Sequence, residues 1–312
     1  MNFKLDFQIP KANFTIQHGE RILFLGSCFS DEISEKAKFH GLKVKSNHFG
    51  TVFHPSVLSR FIIESIQGIK QERILNRSDI FLSWDANSTV FDFSEKGLSA
   101  KLNHLRIDFV KELKTAKALF ITFGTAWGYR KMDDGLLVAN CHKIPNDQFV
   151  KELAQTDQLY LEWKTTLDII RTVNAEIEII FTVSPVRHSR DGLIENNQSK
   201  AMLIELARRL TVAPDCTYFP SYEIVIDELR DYRFFKSDRV HPSEEAIGYV
   251  WKKFESTYCD EKTITLSQKV VNFRKTLAHR SIHESSIENN KLKKESEMRL
   301  NEFLKLHPAI VF

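Results

Sequence analysis

The sequence predicts an α/β protein in which a parallel sheet carries helices on both faces. Short runs rich in β-branched and aromatic residues alternate with longer segments of helical periodicity along most of the chain. The runs at 22–26 and 118–123 are apolar throughout except for one threonine, which is typical of strands buried on both faces. Each of these runs stops at a glycine or just before one, as a strand does when it enters a turn.

The predicted elements of the first half follow from these runs and from helix start signals. Ser30 is expected to cap the first helix, and Asp31 and Glu32 suit the positive end of its dipole. Pro55 is favoured in the first turn of the second helix. In chain order the predictions are a strand at 22–26, a helix from Ser30 to about His40, a strand at 42–44, a helix from Pro55 to about Ile69, and strands at 89–93, 118–123 and 136–139.

The second half continues the alternation and then changes composition. The predictions are a helix over 148–173, a strand at 177–183, a helix at 199–210, a strand at 217–219, a helix from Pro220, and a last core helix from Pro242 to about Tyr258. Beyond about Asp260, the stretch 282–305 is rich in Glu, Lys, Asn and Ser and predicts one or two exposed amphipathic helices. We therefore expect an α/β domain over 1–260 and a helical extension over 261–312.

The helical extension has apolar positions that would pack against the core or against a second subunit, with the core favoured. A contact with a second subunit would make the protein an oligomer. These positions are Leu292, Met298, Leu300, Phe303 and Leu304.

Length, charge and cysteine spacing exclude several classes of protein. At 312 residues the chain can bury one substantial core, with or without an appendage. Its formal charge of +3 is spread along the chain, without the basic block of a nucleic-acid groove. No apolar run reaches the ~18 residues of a membrane span, and the first residues lack a secretory signal. The four cysteines lie far apart, as in a reduced chain, so we expect a soluble, cytoplasmic protein.

Two short segments carry the residue types of hydrolytic catalysis. Ser27 and Cys28 follow the first strand, where a turn into a helix would expose a nucleophile to backbone N–H groups. Asp238 and His241, in D-x-x-H spacing, offer an orienting carboxylate and a base. Because ligands of parallel sheets bind at the carboxyl ends of the strands, we expect the two segments to meet there.

Simpler interpretations of these residues remain open. Ser27 would then only turn the chain, Cys28 would be a small buried apolar side chain, and Asp238 would cap the helix that Pro242 begins. Cys141 and His142 could join Cys28 and His241 in a zinc site, but zinc ligands are usually closer in sequence, so no metal is expected. A nucleotide cofactor is not expected either, because the sequence has neither a G-x-G-x-x-G nor a Walker-type loop.

The segment Gly26-Ser27-Cys28-Phe29-Ser30 resembles the G-S-C-F-A signature of the GSCFA-domain family, a branch of the SGNH/GDSL hydrolase superfamily. The segments 140–143 and 184–188 also resemble that branch, and the resemblance covers about residues 3–258. It implies a flavodoxin-like, three-layer α/β/α fold. The superfamily begins with a strand ending in G-D-S and closes with D-x-x-H before the final helix.

The resemblance also implies roles for single residues. Cys28 falls at the position of the superfamily's nucleophilic serine, with Ser27 in reserve, and Gly50 falls where a glycine N–H helps bind the oxyanion. The superfamily's G-x-N-D block falls on 124–127, where Ala126 replaces the asparagine. Part of the oxyanion hole would then be missing or supplied by another amide, such as that of Asn140.

The implied function is an acyl hydrolase (esterase or thioesterase) or an acyltransferase acting on a small-molecule or carbohydrate acyl ester. The alternative is a binding protein of the same fold with impaired catalysis. His188 and Arg187 could bind substrate in the same crevice. Trp127 and Tyr129 could form an aromatic platform, although such residues more often cover a sheet edge.

Overall fold

Five parallel strands form the central sheet of the computed structural model, which describes Leu5 and residues 7–213, 215–278 and 287–312. The side chains of Asp191 and of 287–293 lie outside this description. The strands are β1 (Arg21–Gly26), β2 (Lys43–Ser46), β3 (Ile74–Arg77), β4 (Ile80–Ser83), β5 (Phe91–Asp92), β6 (Ala116–Phe123), β7 (Trp127–Lys131), β8 (Phe149–Leu153), β9 (Glu178–Val183) and β10 (Cys216–Tyr218).

The helices separate these strands and follow them. They are α1 (Cys28–Phe39), α2 (Pro55–Gln67), α3 (Glu95–Leu113), α4 (Thr156–Val173), α5 (Leu193–Leu210), α6 (Ser221–Glu223), α7 (Glu244–Tyr258), α8 (Glu261–Ala278) and α9 (Ile287–Leu306). The short α6 continues as a π-helical turn over Ile224–Glu228. Within the described residues, no helix is both long and apolar enough to cross a membrane.

The order of the central sheet is β2-β1-β6-β9-β10, and all neighbours are parallel. Numbered in chain order within this sheet alone, the strands run 2-1-3-4-5, which is the flavodoxin-like order. The predicted fold class is confirmed. The strand order reverses between β1 and β6, so a ligand crevice is expected outside the carboxyl ends of these two strands.

Alternating side chains of the sheet bury two separate apolar layers. In β1, Ile22 and Phe24 join a cluster with α1 and α7, whereas Leu23 and Leu25 join a cluster with α2, α3, α4 and α5. Successive residues of a strand point to opposite faces, so helices cover both sides of the sheet. The result is the three-layer α/β/α arrangement.

Two predicted elements are wrong, and both lie beside β7. Residues 136–139 form no strand, because Leu137 makes only a single bridge to Arg130. The start of the helix predicted at 148 is instead β8, which pairs antiparallel with β7. Strand pairing outside the central sheet overrides the helical periodicity of this segment. The strand predicted at 89–93 shrinks to β5, the edge of a small antiparallel sheet with β3 and β4.

The C-terminal helices pack near the C-terminal end of α1. Leu300 and Phe303 are buried with Val270 and Ile310, and Leu304 packs against this cluster. Met298 is exposed, contrary to expectation, and the side chain of Leu292 lies outside the described residues. The N–H of Val311 donates to the carbonyl of Gly41, 3.0 Å away, which joins the C-terminal segment to the turn between α1 and β2.

Candidate active site

Gly26 ends β1 in a conformation that only glycine adopts readily. Its φ is +128°, and a methyl group at this position would overlap the backbone carbonyl of Thr122 in β6. The chain can therefore leave the sheet here while staying in contact with the neighbouring strand. This geometry explains the glycine of the G-S-C-F segment.

Ser27 is the N-cap of α1. Its side chain is buried, and its Oγ accepts a hydrogen bond from the N–H of Phe29, 3.3 Å away. The prediction that Ser30 caps this helix is wrong, because the helix begins three residues earlier, directly after Ser27. The Ser30 hydroxyl is instead buried inside α1, 2.6 Å from Oγ1 of Thr122.

Cys28 is the first residue of α1 and is half-buried at the carboxyl edge of the sheet. Burial raises the pKa of its thiol, and the charges of Asp31 and Glu32 raise it further. The N–H of Cys28 itself and the ammonium of Lys200 act in the opposite direction. The backbone N–H at the start of the helix therefore does not lower the thiol pKa overall, since burial has the larger effect.

Asp238 and His241 form the hydrogen-bonded pair that their spacing predicts. Oδ2 of Asp238 lies 2.7 Å from Nδ1 of His241, and Oδ1 accepts from the N–H groups of Val240 and His241 at 2.8 and 3.0 Å. The His241 N–H, the Val240 N–H and then the imidazole lower the pKa of Asp238 well below its usual range. The alternative that Asp238 caps the last core helix is wrong, because Ser243 caps α7.

Contacts on two sides place the Asp238–His241 turn beside α1 and the end of β9. Nζ of Lys236 lies 2.9 Å from Oε1 of Glu32 in α1, and Lys236 also interacts electrostatically with Cys28. The N–H of Arg187 donates to the carbonyl of Val240 at 3.3 Å. The guanidinium of Arg187 is occupied by the same loop, since Nη1 donates to the carbonyl of Arg239.

The N–H of Gly50, expected to bind the oxyanion, is used in another hydrogen bond, and so is the N–H of Ala126, which stands where the asparagine is missing. The Gly50 N–H donates to the carbonyl of Asn47 at 2.7 Å within a tight turn. The N–H of Ala126 donates to Oγ of Ser199 at 2.7 Å. An oxyanion contact from Gly50 would therefore require this turn to open.

A cleft of about 280 Å³ is lined by Trp127, Asn140 and His188, three of the residues predicted to bind substrate. The indole N–H of Trp127 donates to the carbonyl of Glu195, so its ring is fixed in the wall. Oδ1 of Asn140 accepts the N–H of His142. Cys28 and His241 are outside the lining of this cleft.

A larger cavity of about 840 Å³ lies around the π-helical turn and is lined by residues such as Phe7 and Glu245. It contains none of the predicted site residues. Because Cys28 and the Asp238–His241 turn lie at the carboxyl edge of the sheet, we place the candidate site there and not in the larger cavity.

His142 is a buried structural residue. Oγ of Ser88 lies 2.9 Å from its Nδ1, and the carbonyl of Ser83 lies 2.8 Å from its Nε2, so both ring nitrogens are used. Among the residues that the structure describes, no group of three or more His, Cys, Asp or Glu side chains is arranged to hold a metal ion.

Lys200 is a candidate site residue that the sequence reasoning missed. It lies on the buried face of α5, next to Ser199, and only 2% of the residue is exposed. A signal was present: Lys200 stands three positions before Leu203 and seven before Ala207, on the apolar face of a helical pattern. Charged side chains are rarely buried in such a position without a specific partner.

Comparisons with known proteins give one sequence family and several distant structural neighbours. The family model of the GSCFA family matches residues 21–254. No curated protein matches the sequence.

Three solved structures of esterases show distant similarity. A carbohydrate esterase family 3 protein from Talaromyces cellulolyticus is 8% identical, with 80% of this chain and 99% of that chain covered and a TM-score of 0.37. A family two carbohydrate esterase from Clostridium thermocellum, in complex with cellohexaose, is 9% identical, with 85% and 67% covered and a TM-score of 0.39. An acetyl xylan esterase from Butyrivibrio proteoclasticus is 13% identical, with 82% and 66% covered and a TM-score of 0.38.

Similarities this low do not define a function. The sequence match extends from the start of β1 into α7 and includes Cys28, Asp238 and His241. The chain belongs to the GSCFA family.

Proposed function

We propose that the protein is an acyl hydrolase or acyltransferase in which Cys28 is the nucleophile and His241, oriented by Asp238, is the general base. The observation that carries the proposal is the 2.7 Å contact between Oδ2 of Asp238 and Nδ1 of His241, on a loop paired through Lys236 to the helix that begins with Cys28. An ionised carboxylate only accepts hydrogen bonds, so Nδ1 carries the proton and Nε2 is the basic nitrogen.

The proposed reaction follows from these roles. Nε2 of His241 takes the proton of the Cys28 thiol as the sulfur attacks the acyl carbonyl. Asp238 stabilises the imidazolium that forms. The tetrahedral intermediate then expels the alcohol or thiol, which recovers the proton from His241. Water, or a second acceptor activated in the same way, attacks the acyl-cysteine and releases the acyl group.

Cys28 suits the role of nucleophile better than Ser27. The Ser27 hydroxyl is buried and its oxygen accepts the N–H of Phe29, whereas Cys28 is partly exposed at the first position of the helix. Because burial and Asp31 raise the thiol pKa, Cys28 is protonated near neutral pH and needs a base. His241 would supply that base.

The substrate class we propose is a small acyl ester, on a carbohydrate or another small molecule. The cleft of about 280 Å³ offers aromatic walls in Trp127 and Tyr129 and polar groups in Asn140 and His188. Ligand pockets commonly combine such walls with a few polar groups that fix orientation. His188 lines this cleft and follows Arg187, whose N–H donates to the carbonyl of Val240, so we expect the alcohol part of the substrate in the cleft and its carbonyl towards the Asp238–His241 turn.

A second candidate function is binding without catalysis. It is favoured by the hydrogen bond that occupies the Gly50 N–H, the expected oxyanion donor, and by Ala126, which has no side-chain amide at the asparagine position. Loss of one oxyanion donor typically costs about 3 kcal/mol of transition-state stabilisation. A protein of this kind would bind an ester without forming an acyl-cysteine.

Reaction with p-nitrophenyl esters of different chain length, followed by mass spectrometry, tests both functions. Catalysis predicts an acyl group on Cys28, its loss in Cys28→Ala, and a fall in turnover of about 10²- to 10⁴-fold in His241→Ala. Cys216→Ala is the control, because Cys216 lies in β10 and is outside the lining of the proposed substrate cleft. Full turnover in Cys28→Ala with loss in Ser27→Ala would move the nucleophile to Ser27. No acylation of either residue would support the binding protein.

A further inference from the structure

Lys200 places a titratable amine inside the protein at the carboxyl edge of the sheet. Its Nζ donates to the carbonyl of Gly124, directly after β6, at 2.6 Å and to the carbonyl of Ser184, directly after β9, at 2.7 Å. Within the described residues these partners are carbonyls and not carboxylates. Two carbonyl acceptors satisfy both N–H groups of a neutral amine, while an ammonium has a third N–H and a full charge to accommodate.

The environment of Lys200 balances its two protonation states. Burial lowers the pKa of Lys200 to about 7, and Cys28 acts in the opposite direction. A buried ammonium without a carboxylate costs free energy, and residues of this kind are concentrated at functional sites. Holding the ends of β6 and β9 together would need only a neutral donor. In the sheet Gly26 is the partner of Thr122, so Cys28 and Gly124 each lie two residues beyond this pair. The amine that donates to the Gly124 carbonyl is therefore at the edge where Cys28 begins α1, which indicates a further role.

The charges that act on Cys28 come from three elements. Asp31 and Glu32, on α1, raise its pKa, whereas Lys200, on α5, lowers it. Lys236, on the loop before Asp238, also interacts with Cys28, but its ammonium is paired with Glu32. Lys200, inside the protein, is therefore the cation whose charge opposes the effect of these two carboxylates on the pKa of Cys28.

We propose that Lys200 is a positioning residue whose buried ammonium stabilises the Cys28 thiolate electrostatically. The inference deepens the proposed function and rests on it for its role in acyl transfer. The Cys28 proton still passes to Nε2 of His241, and Lys200 neither forms nor breaks a bond. Its charge lowers the free energy of the thiolate as the sulfur begins its attack.

The pH dependence of Cys28 alkylation tests this proposal without any ester turnover. The thiolate is the species that reacts with iodoacetamide. At pH 6 Lys200 is mainly charged and at pH 9.5 it is mainly neutral, so its help to the thiolate exists only at the lower pH. We expect Lys200→Met to slow alkylation of Cys28 at pH 6 by about three- to tenfold, as half to one unit of thiol pKa does, and to leave the rate at pH 9.5 unchanged.

Two controls separate this effect from a change in structure. Cys141 in the same sample reports any general change in reactivity, because its pKa is raised by burial and lowered by Arg190, without Lys200. Lys253→Met removes a different lysine, one that is only partly buried and whose Nζ donates to the carbonyl of Phe7, and it should leave the alkylation rate of Cys28 unchanged. A loss of packing or access would change the Cys28 rate at both pH values. Equal slowing at pH 6 and 9.5, or no slowing at either, would overturn the proposal.

If Lys200→Met does not fold, the unmodified protein gives the answer. Its alkylation rate at Cys28 should rise with pH, flatten just above the pKa of Lys200, and rise again, because the thiolate loses its cation as the amine is neutralised. A single smooth ionisation curve for Cys28 would contradict the proposal. Failure of ester hydrolysis with this shoulder present would reject the proposed function but leave the coupling of Lys200 and Cys28 standing.

Discussion

Nζ of Lys236 lies 2.9 Å from Oε1 of Glu32, and this ion pair joins the turn that carries Asp238 and His241 to the helix that begins with Cys28. Both side chains are more than two-fifths exposed, so the pair contributes little to overall stability, about 0 to 1 kcal/mol. The ion pair matters because it determines the charge near the Cys28 thiol. Glu32 raises the pKa of Cys28, and pairing with Glu32 offsets the charge of Lys236 beside the thiol.

Glu32→Gln should therefore make Cys28 more reactive. The substitution removes a negative charge near the thiol and leaves Lys236 unpaired, and both changes lower the thiol pKa. We expect alkylation of Cys28 at pH 7 and low salt to become about two- to threefold faster, with the difference shrinking in 1 M salt. Glu35→Gln, on the same helix with its carboxylate paired to Lys38, is the control. A slower or unchanged rate in Glu32→Gln would contradict this electrostatic picture.

Ser27→Ala should lower stability and spare catalysis. The substitution removes the side-chain cap of α1, which costs about 0.5 to 2 kcal/mol in the free energy of unfolding, measured by urea denaturation. Ser27→Gly should cost less, because glycine is tolerated at an N-cap. Both variants should still form an acyl group on Cys28. Full stability combined with lost acylation in Ser27→Ala would assign the hydroxyl a chemical role.

Gly26→Ala should be far more damaging than a typical glycine substitution. The added methyl group overlaps the carbonyl of Thr122, and the residue keeps a positive φ, so we expect a loss of more than about 3 kcal/mol or no folded protein. Gly68→Ala is the control, since Gly68 also has a positive φ but opens onto free space. It should cost about 1 to 2 kcal/mol. Equal losses at the two positions would show that φ alone, and not the approach to β6, explains the glycine.

The stability of the protein should fall between pH 7 and pH 5, in part because of His54; burial lowers the pKa of His48 to about 4 as well. Burial lowers the pKa of His54 to about 4, whereas a histidine in the unfolded chain takes up a proton near 6.5. The unfolded state therefore binds more protons in this range, which removes about 2 kcal/mol by pH 5. His54→Asn keeps an acceptor at the N-cap of α2 without titrating and should reduce, but not abolish, the pH dependence of urea denaturation. His104→Asn, at an exposed position, is the control, and an equal slope in all three proteins would exclude this origin.

The parts of the fold that could be predicted from sequence are those fixed by local pattern. The buried strands β1, β6 and β9 and the helix beginning at Pro55 appear within two residues of their predicted bounds. The pairing of β7 with β8 could not be predicted, because Phe149–Leu153 gains its strand conformation from a partner about twenty residues earlier. Phe149–Leu153 contains Lys151 and Glu152 and has no apolar run of its own to mark it as a strand.

The candidate site could be predicted as pairs of residues but not as an electrostatic environment. The spacing of Asp238 and His241 was enough to predict their hydrogen bond. The direction of the Cys28 pKa shift was not predictable, because it depends on the depth of burial and on Asp31, which a pattern of residue types does not reveal. Lys200 was missed for the same reason, since its charge matters only once α5 is placed against the ends of β6 and β9.

Cys28 and Lys200 reach the edge of the sheet from its two opposite faces. The helix α1 packs in the layer with α7, whereas α5 packs in the layer with α2, α3 and α4. A single sulfur thus senses both halves of the hydrophobic interior. The alkylation rate of Cys28 should therefore report whether the two helix layers are packed correctly on the sheet. It can be measured in mutants, or in different solvents, without a known substrate.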